Sequence, residues 1–330
     1  MVDSDSLNLR GPLLIVGIGR IGAKLATITS ERFDCECLLI SNDKRDLSNS
    51  SSSTSIKSIY IDSQPWLNPS SKKIRSLGIG SDTKIRSCLT GQSTILLVAN
   101  LAGKCGAAIA PLVSKLSREN PSARVISFAI MPFGFEKDKL FQAGVSLKRL
   151  KESCDATVVI DNDAFLNTNP GLSLKECYEI VNNALFEVIS SISSAYLQNS
   201  VSLLCTSRSD NKSAESHIKD CLTMLYENSK PSDVRTATLY LMGGSELSVG
   251  TVNSIANTLQ GIFKQQDVIE VSITMPNSQT LKAHLLAAVN EKTRFDNYDP
   301  LSEVFPKENT LDWEEMDSSP DFEIMVPNLE

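Results

Sequence analysis

Histidine is nearly absent, with two in 330 residues, and no Cys-x-x-Cys pair occurs among the eight cysteines. That leaves a zinc site short of ligands. There is no basic excess either. The net charge is −7, so no general face exists to neutralise nucleic-acid phosphates or an anionic bilayer. Apolar runs are short and interrupted, so neither a leader peptide nor a spanning segment is expected, and direct membrane insertion is excluded. The cysteines (Cys35, Cys37, Cys88, Cys105, Cys154, Cys177, Cys205 and Cys221) are scattered through apolar stretches. Cys35 and Cys37 alternate onto one strand face as small buried residues. A reducing cytoplasm fits this usage. What is present is ordinary globular composition, 41% apolar and 22% charged, enough for one large domain or two smaller ones.

Residues 1–12 are polar and read as a loose N-terminus. Pro12–Gly17 is an apolar run closing on glycine, which predicts a buried parallel strand. Gly22–Arg32 reads as a helix, Cys37–Ile40 as a strand and Ser48–Ser55 as a serine-rich surface loop. Strands follow at Thr94–Ala99, Arg124–Ile130 and Thr157–Ile160, with a helix over Ala107–Ser117. From Ser173 to about Tyr196, Leu174, Cys177, Val181, Ala184, Leu185, Val188 and Ile192 recur at helical spacing. Beyond it, strands are expected at Val201–Thr206, Thr236–Met242, Val268–Ile273 and His284–Val289, with helices over Ala214–Tyr226 and Val249–Phe263. The alternation predicts an α/β chain with a Rossmann-like parallel-sheet nucleotide-binding domain over 13–172. A long central helix spans 173–196, a smaller α/β C-terminal domain 197–295, and an acidic tail 296–330.

Gly17-Ile-Gly19-Arg20-Ile-Gly22 follows the first strand and opens a helix, with Asp43 after the next strand. Glycines at that turn let backbone N–H groups approach a phosphate at the positive end of the helix. Taken alone, the hexapeptide favours a nicotinamide dinucleotide over GTP, and a tight turn without ligand stays open.

Several later segments resemble the tubulin/FtsZ superfamily, in particular FtsZ and its archaeal CetZ relatives. Ser41-Asn42-Asp43-Lys-Arg-Asp46-Leu47 is similar to the loop after that family's second strand. Ala99–Pro111 occupies the place of its glycine-rich phosphate loop. Pro132-Phe-Gly-Phe-Glu136 resembles a Pro-Phe-x-Phe-Glu segment, and Ile160-Asp-Asn162-Asp163 an Ile-Pro-Asn-Asp one. Leu241–Val249 resembles a strand, a double glycine and a following helix. These matches run in order from Leu13 to Phe295. The resemblance implies GTP or GDP as ligand, with Asn162, Tyr178 and Asn182 holding guanine and Asn183 beside them. Tyr178 and Asn182 are four apart, hence on one helix face.

The departures fall at the phosphate end. The aligned loop, Asn100 to Ala108, keeps only Gly103 and Gly106, and Ala102 and Ala108 are expected to crowd the phosphate path. Lys104 either neutralises phosphate or points to solvent. Glu136 stands where the family meets the ribose, but an expected arginine is Leu140. Only Leu197–Ser200 separates the long helix from Val201–Cys205, too little for the loop and helix that carry the family's catalytic acid. Asp210, the nearest acid, lies beyond that strand. Three functions remain open. One is an FtsZ-like guanine-nucleotide protein acting on filaments of a competent FtsZ- or CetZ-type paralogue, in cell division or the cytoskeleton. The second is a nicotinamide-dependent oxidoreductase using Gly17, Gly19, Gly22 and Asp43, in which the histidines offer little, since His217 is expected on a solvated helix face. The third is a nucleotide-free scaffold. The tail sets Trp313, Met316, Phe322, Ile324 and Val326 among acids, a composition typical of segments that order on binding a partner, here a division or cytoskeletal protein, with a purely solubilising tail as the alternative.

Overall fold

The computed structural model describes residues 11–52, 55–191, 201–208, 213–242, 248–263, 268–274, 281–290 and 293–299. The apolar runs form the expected buried strands: β1 (Leu13–Ile18), β2 (Glu36–Ser41), β4 (Thr94–Asn100), β5 (Arg124–Met131) and β6 (Ala156–Asp161). A further strand, β3 (Ile56–Tyr60), covers the edge. These six lie side by side in parallel in the order β3-β2-β1-β4-β5-β6. That is the order of dinucleotide-binding sheets, with the strand order reversing between β1 and β4, where such sheets take their ligands.

Helices cover the faces: α1 (Gly19–Phe33), α2 (Ser71–Ile79), α3 (Asp82–Leu89), α4 (Lys104–Ser117), α5 (Lys137–Ser153) and α6 (Asn162–Thr168). The sequence pattern missed α2, α3, α5, α6 and β3. The serine-rich stretch read as a loop is partly a 3₁₀ segment, Lys44–Ser52. The long helix, α7, is described over Leu174–Ser191; its expected continuation to Tyr196 lies outside the described residues. Cys177, Val181, Ala184, Leu185 and Val188 are buried as the spacing requires, whereas Leu174, in the first turn, is exposed and Ile192 lies outside the described residues.

The second half supplies β7 (Val201–Thr206), α8 (Ala214–Asn228), β8 (Val234–Met242), α9 (Val249–Ile262), β9 (Val268–Thr274) and β10 (Lys282–Val289). β7 pairs in parallel with β6, from Thr157 opposite Val201 to Ile160 opposite Leu204. β10 runs antiparallel between β7 and β8, and β9 lies parallel outside β8. The sheet is therefore continuous across ten strands. The α/β class and Rossmann-like first half expected from the sequence are what the chain adopts. Residues placed at the start of the tail instead form a 3₁₀ turn, Arg294–Tyr298, with Phe295 buried. Its Thr293 and Asp296 satisfy each other's backbone amides, which fixes the turn locally. Among the described residues no helix is long and apolar enough to cross a membrane.

Candidate functional site

The sequence-predicted residues gather at the carboxyl ends of the parallel strands. Gly19, at the N-terminus of α1, has φ +67°, a conformation that glycine tolerates. Gly22 packs the helix onto β4 so closely that a Cβ would stand 2.4 Å from the Val98 carbonyl oxygen. Gly17 lies as tightly against Gly22. Arg20 is exposed. Neither α1 nor α4 has a side-chain cap or an acid in its first turn. The two helix N-termini adjoin: a Cβ on Gly19 would lie 3.7 Å from the Gly106 nitrogen. Two uncapped N-termini side by side concentrate free amides and positive potential where an anion would sit.

The loop between them is tighter than the resemblance implies. Leu101 N–H donates to the Ile130 carbonyl (2.9 Å), Ala102 N–H to Asn100 Oδ1 (2.9 Å) and Gly103 N–H to the Asn100 carbonyl (3.1 Å). Three amides are thereby bonded internally, and α4 starts at once with Lys104. Gly106 is needed because a Cβ there would meet the Asn100 oxygen at 2.1 Å. Ala108 does not crowd the phosphate path: it is buried in the core. Lys104 is exposed, and its Nζ donates to Asn68 Oδ1 at 2.8 Å. Cys105 is buried against Gly19, and burial pushes its thiol up to about 11.

Asn42 and Asp43 close the third side, at the end of β2. Asp43 is committed locally. Its carboxylate accepts from Arg45 Nη2 at 2.7 Å and from the Arg45 amide at 2.9 Å, and Arg45 holds its pKa below the usual range.

At the far end, Asn162 begins α6 and is fully buried. Its Nδ2 donates to the Met131 carbonyl at 2.9 Å, while its Oδ1 has no hydrogen-bond partner. The Asn182 Oδ1 is likewise buried and unpartnered. Tyr178, one helical turn before Asn182, packs edge-on to Phe133 with ring centroids 5.2 Å apart, and Phe133 stacks on Phe135 at 5.1 Å. Burial and then Glu136 push the Tyr178 phenol up to about 12. Asn183 is exposed. Glu136 is occupied: Oε2 accepts from Phe133 N–H at 3.1 Å and Oε1 from Lys139 at 2.5 Å.

Both histidines are buried, so the solvated position expected for His217 is wrong. Its Nδ1 lies 3.1 Å from Ser207 Oγ, on the inner face of α8. His284 joins Thr206 Oγ1 (2.9 Å) to Glu187 of α7 (2.8 Å), and Lys282 adds an ion pair to the same carboxylate at 2.8 Å. This network ties α7 to β7 and β10. Strand periodicity placed His284 without revealing its partner.

Comparison with known proteins agrees with the fold. Residues 14–170 match the Tubulin/FtsZ family, GTPase domain. The chain is 27% identical over 117 residues to Cell division protein FtsZ 2 of Halobacterium salinarum, covering 36% of this chain but only 30% of that protein's length. It is 27% identical over 199 residues to Tubulin-like protein CetZ2 of Haloferax volcanii, covering 52% of this chain and 51% of the relative. Among solved structures, an empty FtsZ dimer from M. jannaschii superposes with a TM-score of 0.67 at 18% identity, over 84% of this chain and 88% of the other. The GTPγS-bound CetZ2 protofilament from Haloferax volcanii gives 0.64 at 18% identity, over 88% and 97%.

Proposed function

We propose that this chain, a divergent FtsZ/CetZ-like protein of the tubulin superfamily, holds GTP or GDP across the carboxyl edge of its parallel strands without hydrolysing it alone. The observation that carries the reading is the Asn162 oxygen, buried and unpartnered, on a residue whose carbonyl lies 3.9 Å from the sulfur of Cys177, the neighbour of Tyr178. A buried acceptor left unpaired is costly and calls for a donor. Guanine presents N1–H and an exocyclic amine along one edge, and the Asn182 oxygen offers a second acceptor. Tyr178 supplies the apolar wall for the base. The phosphates fall between the N-termini of α1 and α4.

Binding is weak in this reading. Leu101, Ala102 and Gly103 spend their amides internally, and Cys105 crowds Gly19 at the N-terminus of α1. Each charge-assisted hydrogen bond forgone removes on the order of 1.5–3 kcal/mol. Hydrolysis fails for a different reason. The sequence leaves only Leu197–Ser200 between the expected end of the long helix and β7, too few for a loop and a helix of several turns. Leu197–Ser200 and Asp210 lie outside the described residues. Lacking the acid that would complete a neighbour's site, the chain still offers its own nucleotide face to a competent FtsZ- or CetZ-type relative. It thus modulates that relative's filaments in cell division or the cytoskeleton. The apolar residues of the tail, Trp313 to Val326, also outside the described residues, supply a partner-binding segment.

Thermal shift with guanine and nicotinamide nucleotides tests the reading. A rise specific to GTP or GDP is expected. A rise specific to NAD, or none at millimolar ligand, overturns it in favour of a dehydrogenase or a scaffold.

A further inference from the structure

The residue preceding the base reader is a buried carboxylate. Asp161 ends β6, caps α6 by accepting from the Asp163 amide at 3.0 Å, and lies 2.6 Å from Arg294 Nη2. The same nitrogen reaches Asp163 Oδ2 at 3.1 Å. Asp163 Oδ1 in turn accepts from the Gly134 amide at 2.9 Å. Gly134 sits between Phe133 and Phe135, the stacked pair against which Tyr178 packs. One guanidinium therefore stands behind both halves of the base pocket: Asn162 through its two neighbours, and the aromatic wall through Gly134.

Arg294 comes from the far end of the chain, and its turn is anchored apart from these contacts. Phe295 is buried, Asp296 pairs with Lys151 of α5 at 3.1 Å, and Tyr298 lies so close to Gly144 that a Cβ there would meet its own at 2.7 Å. Burial pushes the Asp161 carboxyl above its ordinary value, and the Arg294 ion pair is the first of the contacts that oppose this. Removing the arginine alone leaves an uncompensated charge beside Asn162.

From this geometry we infer that Arg294 is a positioning residue for the guanine pocket, and that the 293–299 segment and the bound base stabilise each other. The inference rests on the guanine reading above. By linkage, whatever the segment contributes to nucleotide affinity, nucleotide returns to the segment.

The test uses the full chain, unaltered, as Arg294→Lys, and as the double variant Asp161→Asn with Arg294→Met. The double variant removes both charges together and so guards against unfolding. GDP and ADP are titrated against each, and backbone hydrogen exchange is followed at 293–299. In the unaltered chain GDP should slow exchange across that segment. Both variants should bind GDP about tenfold more weakly and show a smaller preference for GDP over ADP. A merely structural arginine would lower thermal stability while leaving that preference and the GDP-dependent protection intact. That result, in whichever variant folds, overturns the inference alone. Failure of the unaltered chain to bind GDP overturns the guanine reading and this inference with it.

Discussion

Gly19 and Cys105 face each other across the gap between two helix N-termini, so near that a Cβ on the glycine would stand 3.6 Å from the Cβ of the cysteine. The side chain thus takes space that a phosphate oxygen would use. Cys105→Gly should open that space, and one charge-assisted hydrogen bond regained there is worth on the order of 1.5–3 kcal/mol. The glycine costs about 1 kcal/mol of helix propensity, which falls on stability rather than on affinity. The expected effect is a gain in GDP affinity of about tenfold, read by titration calorimetry. Unchanged or weaker binding would show that the phosphates lie elsewhere.

Tyr178 is the aromatic contact proposed for the base. Tyr178→Ala should weaken guanine nucleotide binding by about 1–3 kcal/mol, the range of base–aromatic stacking, and Tyr178→Phe should retain it. Equal losses in both would assign the effect to the phenol rather than the ring face. Equilibrium titration of the two variants beside the unaltered chain separates these outcomes.

Without the acid-bearing loop, GTP turnover should be negligible at every concentration of this protein alone. Well below equimolar amounts should nevertheless alter assembly or turnover of a competent FtsZ- or CetZ-type relative, because capping consumes one molecule per filament end. An effect appearing only near equimolar addition would indicate sequestration. Turnover rising steeply with the protein's own concentration would abolish the premise, and Asp210 would be the first residue to mutate.

Acid sensitivity should trace in part to Glu187. Burial pushes its carboxyl up, but hydrogen bonding and charge from His284, then Lys282, more than offset that and leave its pKa below the ordinary value. A folded-state pKa below the unfolded value of about 4.3 contributes stability that is fully present above that pH. The contribution is lost as pH falls through the folded value. Glu187→Gln should therefore make the loss of stability on acidification shallower, measured by urea denaturation between about pH 5 and 3. Acid limbs that superpose would remove Glu187 from the account.

Apolar runs such as Leu13–Ile18 and Thr94–Ala99 announced the parallel strands because strands buried on both faces have no polar alternation to disguise them. α5 was hidden by the reverse circumstance. Its inner face is built from Ala143, Gly144, Ser146, Leu147 and Leu150, small and polar residues that leave little helical apolar stripe. β3 is an edge strand with exposed Lys57 and Ser58. The glycine turn, Asn162 and Tyr178 could be singled out as site candidates because motif and resemblance are local. The side-chain state of Asp43 and Glu136 was not, because their partners Arg45 and Lys139 read equally well as surface charges. Arg294 was invisible as a partner of Asp161, since only the folded sheet brings the chain's two ends of that contact together.

The β6–β7 ladder has a calorimetric consequence. Hydrogen bonds from Thr157–Ile160 to Val201–Leu204 make neighbours of strands from opposite halves of the chain, and the Glu187 network fastens α7 to both β7 and β10. Neither half can melt without exposing a strand edge of the other, so heat should see a single endotherm, its measured enthalpy equal to the van't Hoff value.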